Sequence, residues 1–209
     1  MIDQTSPFLK PKKITALVLS AGLSSRMTVF KPLLKFGSKT ILEHVVLTLR
    51  ESGIEDILVV VGYRAEDLIP MLQNMHIRWI KNVNYEKGML SSIKTGISTI
   101  GKEFDAFLVM PVDIPLVKTR TIVELVLAFQ ESSRLICYPN FRGRRGHPPI
   151  ISTQYGDEIL LWDKPGGLKG FLRQKEAEAL DLKVEDESVL MDMDTLEDYK
   201  RLLEIFERR

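Results

Sequence analysis

Short apolar runs recur along the chain, and between them lie segments whose apolar residues fall at helical spacing. Ile14-Thr15-Ala16-Leu17-Val18-Leu19 stops at Ser20-Ala21-Gly22; its length and its glycine stop predict a strand buried on both faces. The run from Ile57 to Val61, closed by Gly62, and the run from Phe104 to Met110 predict two more strands. Ile77 to Ile80 and Arg134 to Tyr138 are weaker strand candidates. Thr40-Ile41-Leu42-Glu43 has the form of a capping box; Ile41, Leu42, Val45, Val46 and Leu49 then share one helical face, and Gly53 closes the helix. Further helices are expected from Ala65 to Gln73, interrupted by Pro70, from Leu90 to Ile100 through Ile93 and Ile97, and from Thr121 to Gln130. The last segment, Leu196 to Phe206, is amphipathic, with Thr195 and Asp198 as its cap.

Apolar strands alternating with helices predict a three-layer, Rossmann-like α/β fold with a mostly parallel sheet covered on both faces. Ligands bind such sheets beyond the carboxyl ends of the strands. Residues 20–31, 62–64, 81–92 and 111–117 are therefore the segments to search. Residues 1–13, polar and carrying Pro7 and Pro11, read as a flexible arm, and 14–209 as a single domain without repeats or linkers. The stretch 139–190 has the weakest pattern, with loops expected near Arg142–His147 and Lys164–Gly170.

Composition narrows the class without naming the chemistry. Of 209 residues, 44% are apolar and 27% charged, which is ordinary for a globular chain long enough to build a core without disulfides. The balance of 29 basic against 28 acidic residues gives no reason to expect a nucleic-acid or membrane partner. No apolar run approaches the ~18 residues of a membrane span. A lone cysteine, Cys137, and the absence of a secretory signal in the first residues point to the cytoplasm. Cys137 with His44 and His76 offers no zinc-ligand spacing. Ser24 and Ser25 lack a base to activate them.

Five strings carry candidate chemistry. Leu19-Ser20-Ala21-Gly22-Leu23-Ser24-Ser25-Arg26 with Lys31 combines a small-residue turn and two cations, suited to a triphosphate; it is neither a dinucleotide fingerprint nor a P-loop. The plainer alternative is a strand-to-helix turn with two solvated bases. Asp113, in Pro111-Val112-Asp113-Ile114-Pro115-Leu116, stands at a strand's carboxyl end, where a carboxylate holds Mg²⁺ against phosphates or makes an ordinary Asx turn. Asp192 and Asp194 alternate onto one side of an extended segment, where either supplies a second metal carboxylate or Asp194 caps the last helix. The string Asn82 to Ser92, with Asn84, Gly88, Ser91 and Ser92, carries groups that read a base edge or simply lead into a helix. Arg142-Gly143-Arg144-Arg145-Gly146-His147-Pro148 offers arginines to an anionic second substrate, or is a solvated loop.

These strings, in this order and from about Ile14 to Phe206, resemble the molybdenum cofactor nucleotidyltransferases, a branch of the GT-A-like nucleotidyltransferases, and are most similar to its cytidylyltransferases. The family signature L-A-A-G-x-S-x-R-M-G-x-x-K-x-L-L appears as residues 19–34, with Ser20 and Thr28 replacing Ala and Gly. Its G-M-x-x-S-x-x-x-G, D-x-P-L, R-G-H-P and D-x-D-T-x-E-D begin at Gly88, Asp113, Arg145 and Asp192. Where the family often carries G-D-x-G-x-R, this chain has Pro165-Gly166-Gly167-Leu168-Lys169.

The resemblance implies an Mg²⁺-dependent transfer of a nucleoside monophosphate to the phosphate of molybdopterin or its metal-loaded form. Arg26, Lys31 and Asp113 would be catalytic. Leu19, Ser20, Ala21, Gly22, Ser24, Arg26, Lys31, Gly62, Asn84, Gly88, Ser91 and Ser92 would bind the nucleotide. Arg145, Gly146, His147, Pro148 and Lys169 would bind the acceptor, and Asp113 with Asp192 or Asp194 would hold the metal. A molybdenum-enzyme apoprotein is the implied partner. Ala at position 21 resembles the cytidylyltransferases and Gly there the guanylyltransferases; a methyl pointing at the base site would favour a pyrimidine. A sugar phosphate acceptor and a non-catalytic cofactor carrier are the rival readings.

Overall fold

The computed structural model describes residues 11–23, 27 and 29–208. Its main sheet has eight strands. The predicted central strands form as β1 (Ile14–Ser20), β4 (Ile57–Val61), β5 (Arg78–Lys81) and β6 (Ala106–Pro111), all parallel. A two-stranded hairpin, β2 (Lys35–Phe36) with β3 (Lys39–Thr40), leads into α1 (Ile41–Glu51). Then come α2 (Ala65–Asn74), α3 (Met89–Ile97), α4 (Thr119–Glu131) and β7 (Ile136–Phe141). The remaining elements are β8 (Arg144–Arg145), β9 (Ile150–Ser152), α5 (Gly156–Leu161), α6 (Gly167–Gln174), β10 (Ala179–Lys183) and α7 (Leu196–Glu207). The order across the sheet is β10-β7-β9-β6-β1-β4-β5, with β8 on β7. Strand β9 runs against both its neighbours.

Strand alternation builds two cores. Ala16, Val18, Val59, Val61, Leu108 and Met110 face α1, α2, α4 and α7; Leu17, Leu19, Leu58, Val60, Phe107 and Val109 face α3, α5 and α6. The three layers are those the pattern predicts. Gly96 fixes the height of α3: a Cβ there would lie 2.2 Å from Leu17 Cδ1. The helix therefore rests directly on β1 and carries Ser91 and Ser92 to the sheet's carboxyl edge.

Four expectations are corrected. The helix expected to reach Ile100 ends at Ile97. The strand expected from Phe104 starts at Ala106, because the Asp105 and Ala106 amides both turn to the Lys13 carbonyl. The loops expected near Arg142–His147 and Lys164–Gly170 contain the short strand Arg144–Arg145 and the first half of the helix Gly167–Gln174; glycines at 167 and 170 dilute the helical pattern, and only Phe171 and Leu172 are buried. Of the stretch expected as an arm, residues 1–10 lie outside the described residues, and Lys12 and Lys13 are held to the domain. Lys12 Nζ donates to the Phe129 and Ser132 carbonyls (2.8 and 2.7 Å), and the Lys13 amide donates to Asp105 Oδ2 (2.8 Å).

Candidate active site

Three segments converge where β1 and β6 end. The Val112 amide donates to the Leu19 carbonyl (3.1 Å), holding the two strand ends together past their last paired residues. Asp113 follows directly. Its carbonyl accepts from the Met193 amide (2.9 Å), and the Met193 side chain is fully buried. With Met193 turned inwards, alternation sends Asp192 and Asp194 the other way: Asp192 is exposed and Asp194 partly covered. A single 3-10 turn from Lys31 to Leu33, started by Pro32, delivers Lys31 into the gap. Lys31 is only 7% exposed, and its Nζ lies 3.3 Å from Asp194 Oδ1 and 3.9 Å from Asp113 Oδ2.

Burial pushes the Asp113 carboxyl above the usual carboxylate range; Lys31 opposes this, and Asp194 and Asp192 add to it. Among the described residues no cluster of three or more His, Cys, Asp or Glu side chains is set to hold a metal. Mg²⁺ usually takes only one or two carboxylates and completes its octahedron with water and phosphate. Asp113 and Asp194 fit such a partial site.

Two cavities adjoin here. The first, about 310 Å³, is walled by Leu19, Ser20, Ala21, Gly22, Lys31, Gly88, Ser92 and Asp113, and also by Tyr85 and Met89. The second, about 670 Å³, shares Met89; its wall includes Tyr138, Arg145, Gly146, His147 and Lys169 over an apolar floor of Leu90, Ile93, Val109 and Leu172. Asn84, Ser91 and Gly62 stand off the first cavity's wall. Gly62 backs Ala21: a Cβ at position 62 would sit 2.8 Å from both the methyl and the carbonyl oxygen of Ala21. The Ala21 methyl thus packs into the wall and does not project freely at a base. Pro148 is buried and does not line the second cavity. Ser24 and Arg26 fall outside the described residues.

Three polar groups stand out. Asn82 is buried at the end of β5; its Nδ2 donates to Ser91 Oγ (2.8 Å) and Ser92 Oγ (3.0 Å), and its Oδ1 accepts from the Asn84 amide (2.9 Å). The Ser20 hydroxyl and His147 Nδ1 are buried without a hydrogen-bond partner among the described residues. Burial lowers the His147 pKa against the pull of Asp192, so its imidazole is neutral near pH 7. Arg145 is committed within the protein: its Nε and Nη2 reach the two Asp181 oxygens (2.5 and 2.8 Å), Nη1 reaches Glu176 (2.8 Å), and it stacks on Tyr138 at 4.5 Å. Lys87, Lys169 and Arg173 rim the same cavity and form no ion pair among the described residues. Asn82, Tyr85, Tyr138, Lys87 and Arg173 escaped the residue-by-residue reading. Asn82, Tyr85 and Lys87 carried a signal, since all three lie in the string that ends in the two serines; Tyr138 and Arg173 lie outside the five strings.

Residues 16–179 match the MobA-like NTP transferase domain. The chain belongs to that family. Molybdenum cofactor cytidylyltransferase from Escherichia coli K12 is 25% identical over 187 residues, covering 89% of this chain and 93% of that one. Nicotine blue oxidoreductase from Paenarthrobacter nicotinovorans is 27% identical over 204 residues, with coverage of 91% and 96%. The bifunctional GlmU protein of Syntrophomonas wolfei is 27% identical over 148 residues, but the chain spans about a third of the length of the GlmU relatives it matches. The fold of this MobA-like chain superimposes on Rv0371c of Mycobacterium tuberculosis H37Rv with a TM-score of 0.82, at 22% identity and with 93% and 100% coverage.

Proposed function

We propose that the protein transfers a nucleoside monophosphate, CMP by preference, from a nucleoside triphosphate to the phosphate of a molybdopterin-type acceptor. The observation that carries this reading is Lys31 held between Asp113 and Asp194 at the first cavity, which adjoins the second at Met89. One cavity has the small-residue turn that suits a triphosphate; the other has an apolar floor and a cationic rim that suit a ring-bearing phosphomonoester. An oxygen of the acceptor phosphate attacks the α-phosphorus, a new P–O bond forms, and the bond to the β-phosphate breaks as pyrophosphate leaves with its electrons. Mg²⁺, bound with the nucleotide, would supply charge neutralisation on the phosphates. Asp113 and Asp194 would hold it. Lys31 neutralises the phosphates from below, and the protein's own work is positioning and charge stabilisation. A structural neighbour, Rv0371C, is known as a complex with manganese.

Lys87, Lys169 and Arg173 are the groups in position to meet the acceptor's charge, while Arg145 shapes the wall. The cytidylyltransferase relative supports CTP; the Ala21 methyl, packed against Gly62, does not reach towards a base and adds nothing to that preference. Cys137, buried and lone, suits a cytoplasmic enzyme. No described helix is long and apolar enough to cross a membrane. The test is transfer of label from the α-phosphate of CTP to molybdopterin or to a sugar phosphate. Labelled molybdopterin alone supports the reading; label on the sugar phosphate alone, or tight molybdopterin binding without transfer, replaces it with one of its rivals.

A further inference from the structure

We infer that Asn82 is a positioning residue that fixes the Ser92 hydroxyl as a hydrogen-bond donor into the first cavity, so that the cavity selects a base presenting an acceptor there. This rests on the proposal that the first cavity holds a nucleotide.

The direction of each bond follows from the donor inventory. The Asn84 amide can only donate, so the Asn82 atom it meets at 2.9 Å is the oxygen. Nδ2 therefore faces the serines, and its two hydrogens account for the contacts to Ser91 and Ser92. The Ser91 hydroxyl uses its one hydrogen locally, within reach of the Asn84 and Gly88 carbonyls (2.9 and 2.8 Å). Ser92 differs. It accepts from Asn82, its own hydrogen has no acceptor among the described residues, and it alone of the pair lines the cavity. A hydroxyl ordinarily donates or accepts; here one lone pair is occupied by a fixed amide, and the hydrogen is left for a ligand. Asn82 is itself held: it is 1% exposed, and its amide donates to the Val61 carbonyl (2.8 Å) at the end of β4. The matching groups are a ring carbonyl oxygen or an unprotonated ring nitrogen of the base. An exocyclic amine or ring N–H at that point would meet a second donor.

Asn82→Asp tests this while keeping the loop. One Asp oxygen still accepts from the Asn84 amide; the other replaces Nδ2 and accepts from Ser92, turning the hydroxyl around. Binding is measured by calorimetry with Mg²⁺, using CTP and inorganic tripolyphosphate, which lacks a base. Asn82→Asp is expected to weaken CTP roughly 10-fold or more, the scale of one lost hydrogen bond in a buried site, and to change tripolyphosphate less than about 2-fold. Ser92→Ala is expected to weaken CTP as well, and in that background Asn82→Asp should add nothing. Wild-type CTP affinity in Asn82→Asp, an equal loss for both ligands, or additive effects of the two substitutions overturns the inference. Wild-type protein that binds tripolyphosphate as tightly as CTP overturns the nucleotide reading beneath it.

Discussion

Lys31 is buried between two carboxylates, and that placement dictates how its loss should show. Lys31→Ala is expected to lower kcat more than it raises the nucleotide Kd, because its charge matters most as the leaving pyrophosphate gains charge. Steady-state rates with calorimetric Kd values check this; weakened binding with unchanged kcat would assign Lys31 to ground-state binding. Asp113→Asn is expected to cost at least ~10²-fold in turnover through loss of metal-assisted charge stabilisation. It should also raise stability in chelator at neutral pH. Asp113 has a raised folded-state pKa, so its contribution is fully present below the unfolded value and is lost as pH rises through the folded one. Above the unfolded carboxylate range the wild type carries that penalty and Asn does not, so thermal melts of the two forms should converge as pH falls towards it. The place of Asp113 just past a strand's carboxyl end was legible from the apolar run before it, and the structure brings Lys31 beside it. Arg145 was not legible: it read as an anion-binding arginine, but its countercharges lie at positions 176 and 181, and pairing at such distance leaves no local pattern.

The two capping boxes behave differently despite the same chemistry. Thr40 with Glu43 starts α1, and Thr195 with Asp198 starts α7; both were legible from spacing, and both form with reciprocal bonds. Only the second adjoins the site, since Asp198 also accepts from the Asp194 amide (3.2 Å). Thr40→Ala and Thr195→Ala should each cost about 1 kcal/mol in denaturant melts. Thr195→Ala alone should also lower turnover at saturating Mg²⁺; equal activity in both variants would separate the cap from the site. The Thr40 backbone amide holds Glu43, and the Thr195 hydroxyl holds Asp198, below the usual carboxylate range. Their contribution is therefore present above the unfolded carboxylate pKa and fades as pH falls through the lower folded values. Elements from 139 to 190 were hard to read for physical reasons. Strand β9 has three residues bounded by prolines and a 3-10 turn, α6 begins on two glycines in left-handed backbone, and β10 is a half-buried edge strand. None is long enough to establish a period.

At the scale of the molecule, three layers place the carboxyl ends of β1, β4, β5 and β6 along one edge, and the site lies there because the segments after β1, β5 and β6 supply its groups. That much followed from alternation of strand and helix. What remained hidden was how the second cavity is walled, since β7, β8 and α6 bring together residues distant in the chain. The most direct test of nucleotidyl transfer is pyrophosphate release with CTP, GTP, ATP and UTP, each with and without molybdopterin, in Mg²⁺. The account predicts release that requires the acceptor, with kcat/KM for CTP exceeding that for GTP by roughly 10- to 200-fold, the range available to a small difference in pocket fit. Release independent of acceptor, or GTP used as well as CTP, would contradict it.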